Sequence, residues 1–227
     1  MTSKRQVLLL GITKYGDYDA ILHCYGKEEG FTTYFYKNVF KTKKRAFLQP
    51  LIELSIEVQP SKGDLERISK IEINSHAAIE WDIKKNSIIF FVAELLQKIL
   101  REEPQNTTLY QEILKFKDEL YNDKHYAHLT LMVLILEQLG VAPLTASQPF
   151  LNPETAHFED LQSSSHFDET ITSLWRDILN SEEPYHIDIK GNFRKPFLES
   201  LLLYYSYHVN HFKIPQSLEI LKQIFED

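Results

Sequence analysis

Apolar residues recur with two different periods along the chain, and the change of period divides it. From Leu51 to Gln59 the alternation is strict, with Ile52, Leu54, Ile56 and Val58 on one face and Glu53, Ser55 and Glu57 on the other. This spacing predicts a half-buried strand. Val7–Ile12, Ala20–Tyr25 and Phe31–Val39 are rich in β-branched and aromatic residues and predict three more strands, separated by the turn segments GDYD and GKEEG. Leu65–Ile73 is a fifth strand whose irregular period calls for a bulge. Five short strands in about 75 residues predict a small barrel. A five-stranded OB-type barrel is preferred, with an SH3-like barrel as the competitor.

Beyond residue 80 the apolar spacing becomes helical. Asp82–Arg101 puts Ile83, Ile88, Phe91, Leu95 and Ile99 near one stripe. Asn106 or Thr107 caps a second helix running to Tyr121. Tyr126–Leu139 is nearly all apolar, which predicts a central buried helix ended by Gly140. Residues 141–166 read as a long loop. Helices follow from Asp168 to Leu179, over Phe193–Val209 and over Pro215–Phe225. The fold class is therefore α+β: a barrel domain over 1–78 and an all-α bundle over 79–227. The boundary falls near Asn74–Trp81, where five of the seven glycines already lie behind.

Charge follows the same division. The whole chain carries −7, which by itself discourages binding to phosphate. Residues 1–80, however, hold twelve cations against ten acids, and the remainder holds thirteen against twenty-two. The densest feature is KNVFKTKKRAFLQP, where Lys37, Lys41, Lys43, Lys44 and Arg45 fall within nine residues and no acid stands between Gly30 and Glu53. Tyr34, Phe35, Tyr36, Phe40 and Phe47 flank it. Cations that track phosphates beside rings that stack on bases are how sequence-tolerant single-strand binders work. A charge run alone favours a merely solvated basic loop. Strand aromatics such as Tyr34 and Tyr36 are also common in cores.

Chain order then points to a family. KYGDYDAILHCYGKEEGF at 14–31 is followed by the cationic loop ending in Gln49-Pro50-Leu51, the alternating strand and DLERISKIE. Later come AELLQKILREEPQN, HLTLMVLILEQLGVAP and SLLLYYSYHVNHFKIPQSLEILKQIF. In these blocks the chain resembles the RecO family of bacterial recombination mediators. The resemblance implies an N-terminal OB-fold on a helical domain. It further implies binding of single- and double-stranded DNA, strand annealing, and action with RecR in loading RecA onto DNA coated by single-strand-binding protein. Lys37, Lys41, Lys43, Lys44 and Arg45 match the family's basic segment, and Lys14 matches a frequently basic position before the Tyr-Gly turn. The helical domain is expected to receive the acidic-hydrophobic tail of single-strand-binding protein. Lys84, Lys85, Arg101, Lys115 and Lys117 each read as surface charge.

Many members of that family carry a four-cysteine zinc module where this chain has 141–166, and here the segment has no cysteine. His157 and His166 have no thiol companions, so no metal and no cofactor is expected. The i,i+3 pairs His125/His128 and His208/His211 lack a matching carboxylate motif. Cys24, the one cysteine, lies in an apolar strand and reads as an inert buried thiol in a reducing compartment. No nucleotide-binding or nucleophile motif occurs, so the chain is read as non-enzymatic. No leader or membrane span is evident, and a cytoplasmic, nucleoid-associated protein is expected. The alternative is an interaction adaptor whose basic loop docks an acidic partner protein.

Overall fold

Strands form at all five positions that the first 75 residues mark: β1 (Ser3–Tyr15), β2 (Asp19–Gly26), β3 (Gly30–Tyr36), β4 (Glu53–Gln59) and β5 (Glu66–Ile73). The computed structural model describes residues 2–41, 45, 47–60, 65–74 and 82–226. The strands close into a barrel of order β1-β2-β3-β5-β4. Neighbours are antiparallel except β3 and β5, which run parallel over Tyr34↔Glu66 to Tyr36↔Ile68. That crossover is the OB arrangement, and it settles the choice against an SH3-like barrel.

Alternation decides what fills the barrel. Val7, Leu9, Ala20, Leu22, Cys24, Tyr34, Leu54, Ile56, Val58 and Ile68 point inward and form one buried cluster. Burying each large aliphatic side chain contributes about 1.5–3 kcal/mol. Burial also pushes the Cys24 thiol well up from its ordinary value, so no thiolate forms at neutral pH. The irregularity expected in the fifth strand is present: between Glu57↔Lys70 and Val58↔Ile68 the register shifts, with Ser69 of β5 as the extra residue. A second shift lies between Leu9 and Gly11 in β1. Beyond it, Ile12 rather than Gly11 faces the core.

Chain contacts group the protein into two units, Met1–Tyr110 with Pro215–Asp227, and Gln111–Ile214. The first unit extends past residue 78. It takes in α1 (Ile83–Ile99), which packs on β1, and α6 (Ser217–Glu226), which packs on α1. Asp82 caps α1 by accepting from the backbone of Lys84 and Lys85 at 2.7 and 3.1 Å. Gly30, at φ +69°, brings the β2–β3 turn against the Gln105 backbone, which a Cβ would meet at 3.1 Å. Asn106 opens α2 (Thr107–Tyr121) as expected, accepting from Leu109 N–H at 2.9 Å.

The second unit is built on α3 (Ala127–Gln138), whose residues through Leu136 are all buried. Its partners are α4 (Glu169–Asn180) and α5 (Gly191–His208). Trp175 packs against Phe167, Phe197 and Tyr204 and donates to Ser200 Oγ at 3.0 Å. Tyr205 donates to the Met132 carbonyl at 2.8 Å. The 141–166 segment is not all loop. It carries a hairpin of β6 (Phe150–Asn152) and β7 (His157–Glu159), with Leu151 buried and its N–H donating to Thr172 Oγ1. Three-residue strands are too short to show an alternation. Lys85 and Lys117, read as surface cations, are in fact buried.

Glu94 of α1 fastens α6 by capping its N-terminus. Its carboxylate accepts from Gln216 N–H, Ser217 N–H and Ser217 Oγ at 2.7 to 2.9 Å, and Lys98 pairs with it at 3.2 Å. Burial alone would raise the Glu94 carboxyl, but these donors outweigh it and hold the group down at about 2, against an ordinary 4.5. A folded value below the unfolded one adds stability that is complete above about pH 5 and fades as pH falls toward 2. Replacing Glu94 by Gln should therefore cost about 1 kcal/mol at pH 7, lowering the unfolding midpoint by roughly 2–4 °C. The gap between variant and parent should narrow as the pH falls toward 2; a gap that stays constant contradicts this account.

Candidate nucleic-acid interface

Two anchors hold the start of the basic segment against the β1–β2 turn. Asp19 accepts from Asn38 N–H at 2.7 Å, and the Tyr18 carbonyl accepts from Phe40 N–H at 3.0 Å. Asn38 turns the chain with φ 59°, a conformation asparagine tolerates better than most residues. A single helical turn, Val39–Lys41, follows, with Val39 buried in the barrel core. At the far end Leu48 is buried. Leu51 then adopts φ 56° while fully buried, and its N–H donates to the Leu9 carbonyl at 2.6 Å. Such a conformation costs a leucine about 1–3 kcal/mol unless its surroundings impose it. The segment is thus held at both ends, and its described cations Lys41 and Arg45 are exposed.

Lys14, Lys37, Lys41 and Arg45 are all exposed. Among the described residues none of the four has a carboxylate within ion-pair distance. Lys14 and Arg45 line one cleft of about 450 Å³ at the barrel's end, with Ile12, Asp17, Phe40 and Leu48. Lys41 Nζ lies 4.1 Å from the centre of the Tyr18 ring, and the Arg45 guanidinium lies 5.1 Å from that of Phe40. A ring beneath a cation orients it without neutralising it. Lys37 stands just past the end of β3. Lys43 and Lys44 lie outside the described residues.

The aromatic side chains divide differently from their order in the sequence. Tyr34 and Tyr36 are buried in the barrel. Tyr15, Tyr18 and Phe47 are the exposed rings, at 57%, 47% and 47%. Tyr15 faces out because the β1 bulge resets which side chains of that strand face out, and Tyr18 sits in the β1–β2 turn. The histidine pairs have local roles: His128 Nδ1 is 2.9 Å from the His125 carbonyl and His208 Nε2 is 2.7 Å from that of Pro153. Burial brings His128 down to about 4, and Arg194 and His125 add to the effect against the bond to His125. His157 and His166 are exposed. Among the described residues no three His, Cys, Asp or Glu side chains gather as a metal-holding group. None of the described helices is long and apolar enough to cross a membrane.

Comparison with known proteins covers the whole chain. The family model for the N-terminal part of recombination protein O matches residues 1–76. A DNA repair protein RecO from Flavobacterium psychrophilum is 30% identical over 237 residues, which span 99% of this chain and 100% of the relative. That of Flavobacterium johnsoniae is 30% identical over 241 residues with the same coverage. That of Christiangramia forsetii is 27% identical over 237 residues, spanning 97% and 98%.

The anchoring of the basic segment is open to test. Asp19→Ala removes the acceptor of Asn38 N–H and should cost about 1 kcal/mol. Amide exchange at Asn38 and Phe40 should speed up while the β4 amides keep their protection. Unaltered exchange at Asn38 would show that the contact does not hold the segment.

Proposed function

The chain belongs to the RecO family of DNA repair proteins, and on that premise we propose that it is a non-enzymatic mediator of DNA repair and recombination. Residues 1–78 are its DNA-binding domain. Lys14, Lys37, Lys41, Lys43, Lys44 and Arg45 bind the phosphates of single- and double-stranded DNA. Annealing of complementary strands follows from binding that reads backbone charge and leaves base edges free to pair. In the cell it works in the cytoplasm on the nucleoid. There it acts with RecR to help load RecA onto DNA coated by single-strand-binding protein.

One observation carries this reading: four exposed cations, unpaired among the described residues, cluster at one end of an OB barrel in a chain whose net charge is −7. Holding several like charges together on an acidic protein is unfavourable unless an anion answers them. A phosphate backbone is such an anion, and its binding releases condensed counterions.

Replacing Lys41, Lys43, Lys44 and Arg45 with alanine removes up to four of these contacts. Affinity for a single-stranded oligonucleotide should fall. The slope of log K against log salt should flatten by roughly 0.7 for each lost phosphate contact. Equal affinity and equal slope in parent and variant would overturn the site.

A further inference from the structure

We propose that the free edge of β1 between Gly11 and Tyr15 docks an extended internal segment of a partner protein, which joins the barrel as an added strand and offers a carboxylate to Lys14 and apolar side chains to the cleft beside Phe90. The docking stands apart from the DNA-binding reading above, and only the competition between the two ligands rests on it.

The edge is left open by the way β4 begins. β1 is thirteen residues long, yet β4 pairs with it only from Ser3 to Leu8, while β2 follows the opposite edge as far as Tyr15. Two further bonds join Leu9 to this side, its N–H donating to the Ile52 carbonyl and its carbonyl accepting from Leu51 N–H. Leu51, at φ 56°, then turns the chain out of the line of β4. In a strand the N–H and C=O of one residue point to the same side, and residues sharing a face share that side. Leu9 faces the core and points both groups toward β4. Past the bulge Ile12 packs against the core, and Lys14 shares its face. Ile12 and Lys14 therefore aim two N–H and two C=O groups at the edge that β4 has left. Among the described residues no backbone group answers them.

Clefts flank this edge and set the chemistry of what fits. One, of about 420 Å³, runs from Leu10 and Ile12 to Phe90 and Ala93 of α1, with Pro50 among its walls. The other is the cleft of about 450 Å³ that holds Lys14 and Arg45. Ile12 and Leu48 line both, so the two adjoin. Phe90 is 56% exposed although it walls the apolar cleft. A Cβ at Gly11 would meet Gln97 of α1 at 2.6 Å, which places α1 on the outer face of this part of β1. In an added strand the side chain opposite Lys14 shares its inner face and pairs with it, so an acidic residue fits there. The alternate side chains turn toward α1, where apolar ones fit. Asp17 shares the cationic cleft and offsets one of its two charges. A lysine on an open edge deters indiscriminate pairing; a carboxylate on the incoming segment turns that barrier into a contact. Main-chain bonds supply the grip and the two clefts supply the selection.

The test uses the full chain and a labelled, acetylated hexapeptide amide, Glu-Asp-Val-Val-Leu-Thr. Antiparallel to β1, it sets its Asp opposite Lys14 and its Leu opposite Gly11. Binding should saturate below about 1 mM. In the free protein the amides of Ile12 and Lys14 should exchange fast and that of Thr13, which turns to β2, slowly. Bound peptide should slow Ile12 and Lys14. The same peptide N-methylated at alternate residues cannot pair as a strand and should bind about tenfold more weakly or worse. Phe90→Asp should weaken binding by a similar factor, and a free C-terminal carboxylate on the peptide should change nothing. The methylated peptide and the exchange pattern are read on the parent chain, so they decide the matter if Phe90→Asp fails to fold. Absence of saturable binding, equal affinity of the methylated peptide, slow Ile12 and Lys14 amides in the free protein, or binding that requires the free carboxylate would each overturn the proposal. The peptide should also displace a labelled single-stranded oligonucleotide, because it covers Lys14 and Arg45. Simultaneous binding of both would overturn the placement beside those cations. A chain that binds the peptide but no DNA would overturn the DNA-binding reading and leave the docking standing.

Discussion

The orientation of every side chain at the candidate interface depends on the seam where the barrel closes. There β5 must pair in parallel with β3 over three residue pairs while running antiparallel to β4. So short a ladder is weak, and Arg5 fastens it. Its guanidinium donates to Tyr34 Oη at 3.1 Å, grips both oxygens of Glu66, and meets Glu29 at 3.1 Å. Burial works against the Arg5 charge, but the bonds to Tyr34 and Glu66 outweigh it and leave the cation more firmly held than an ordinary arginine. A slip of one residue along β3 would turn Tyr34 and Tyr36 outward and Phe31 and Phe35 inward. The long ladder with β2 sets which rings of β3 face out, and Arg5, bonded to Tyr34 and Glu66, ties that strand to β5 at the seam.

The basic segment depends on the same frame. It leaves β3 at Tyr36, is caught by Asp19 and Tyr18, and is nailed by the buried side chains of Val39 and Leu48. Those apolar anchors let Lys41 and Arg45 stand exposed outside the apolar barrel interior. Tyr18 beneath Lys41 and Phe40 beside Arg45 hold cations over rings, where phosphate and base chemistry meet. The overall charge of −7 hides this arrangement, since the acids are concentrated in the helical part of the chain.

Much of the fold was legible because its signals are local. The alternation of Ile52, Leu54, Ile56 and Val58 marks β4, and Asp82, Asn106 and Asp168 cap helices at the positions their side chains suggest. Three features escaped because they arise only when distant segments meet. The β1 bulge reverses inward and outward for Ile12 to Tyr15, which hid Tyr15. Both faces of β3 carry aromatic residues, so composition could not say whether Tyr34 or Phe35 was core; its place between β2 and β5 in the closed barrel decides it. The hairpin at 150–159 is held by Leu151, Phe158 and the bond to Thr172, with strands too short for any periodicity. Of the six cations picked out in the sequence, Lys14 and Arg45 share a cleft and Lys41 adjoins it.

The central claim is that this end of the barrel binds DNA through its phosphates. The most direct measurement is a fluorescence-anisotropy titration of a labelled single-stranded oligonucleotide with the full chain, repeated between about 50 and 200 mM salt. Saturable binding whose log K falls linearly with log salt, at a slope equivalent to several phosphate contacts, is the predicted result. Absence of saturable binding at the lowest salt, or binding indifferent to salt, would contradict it.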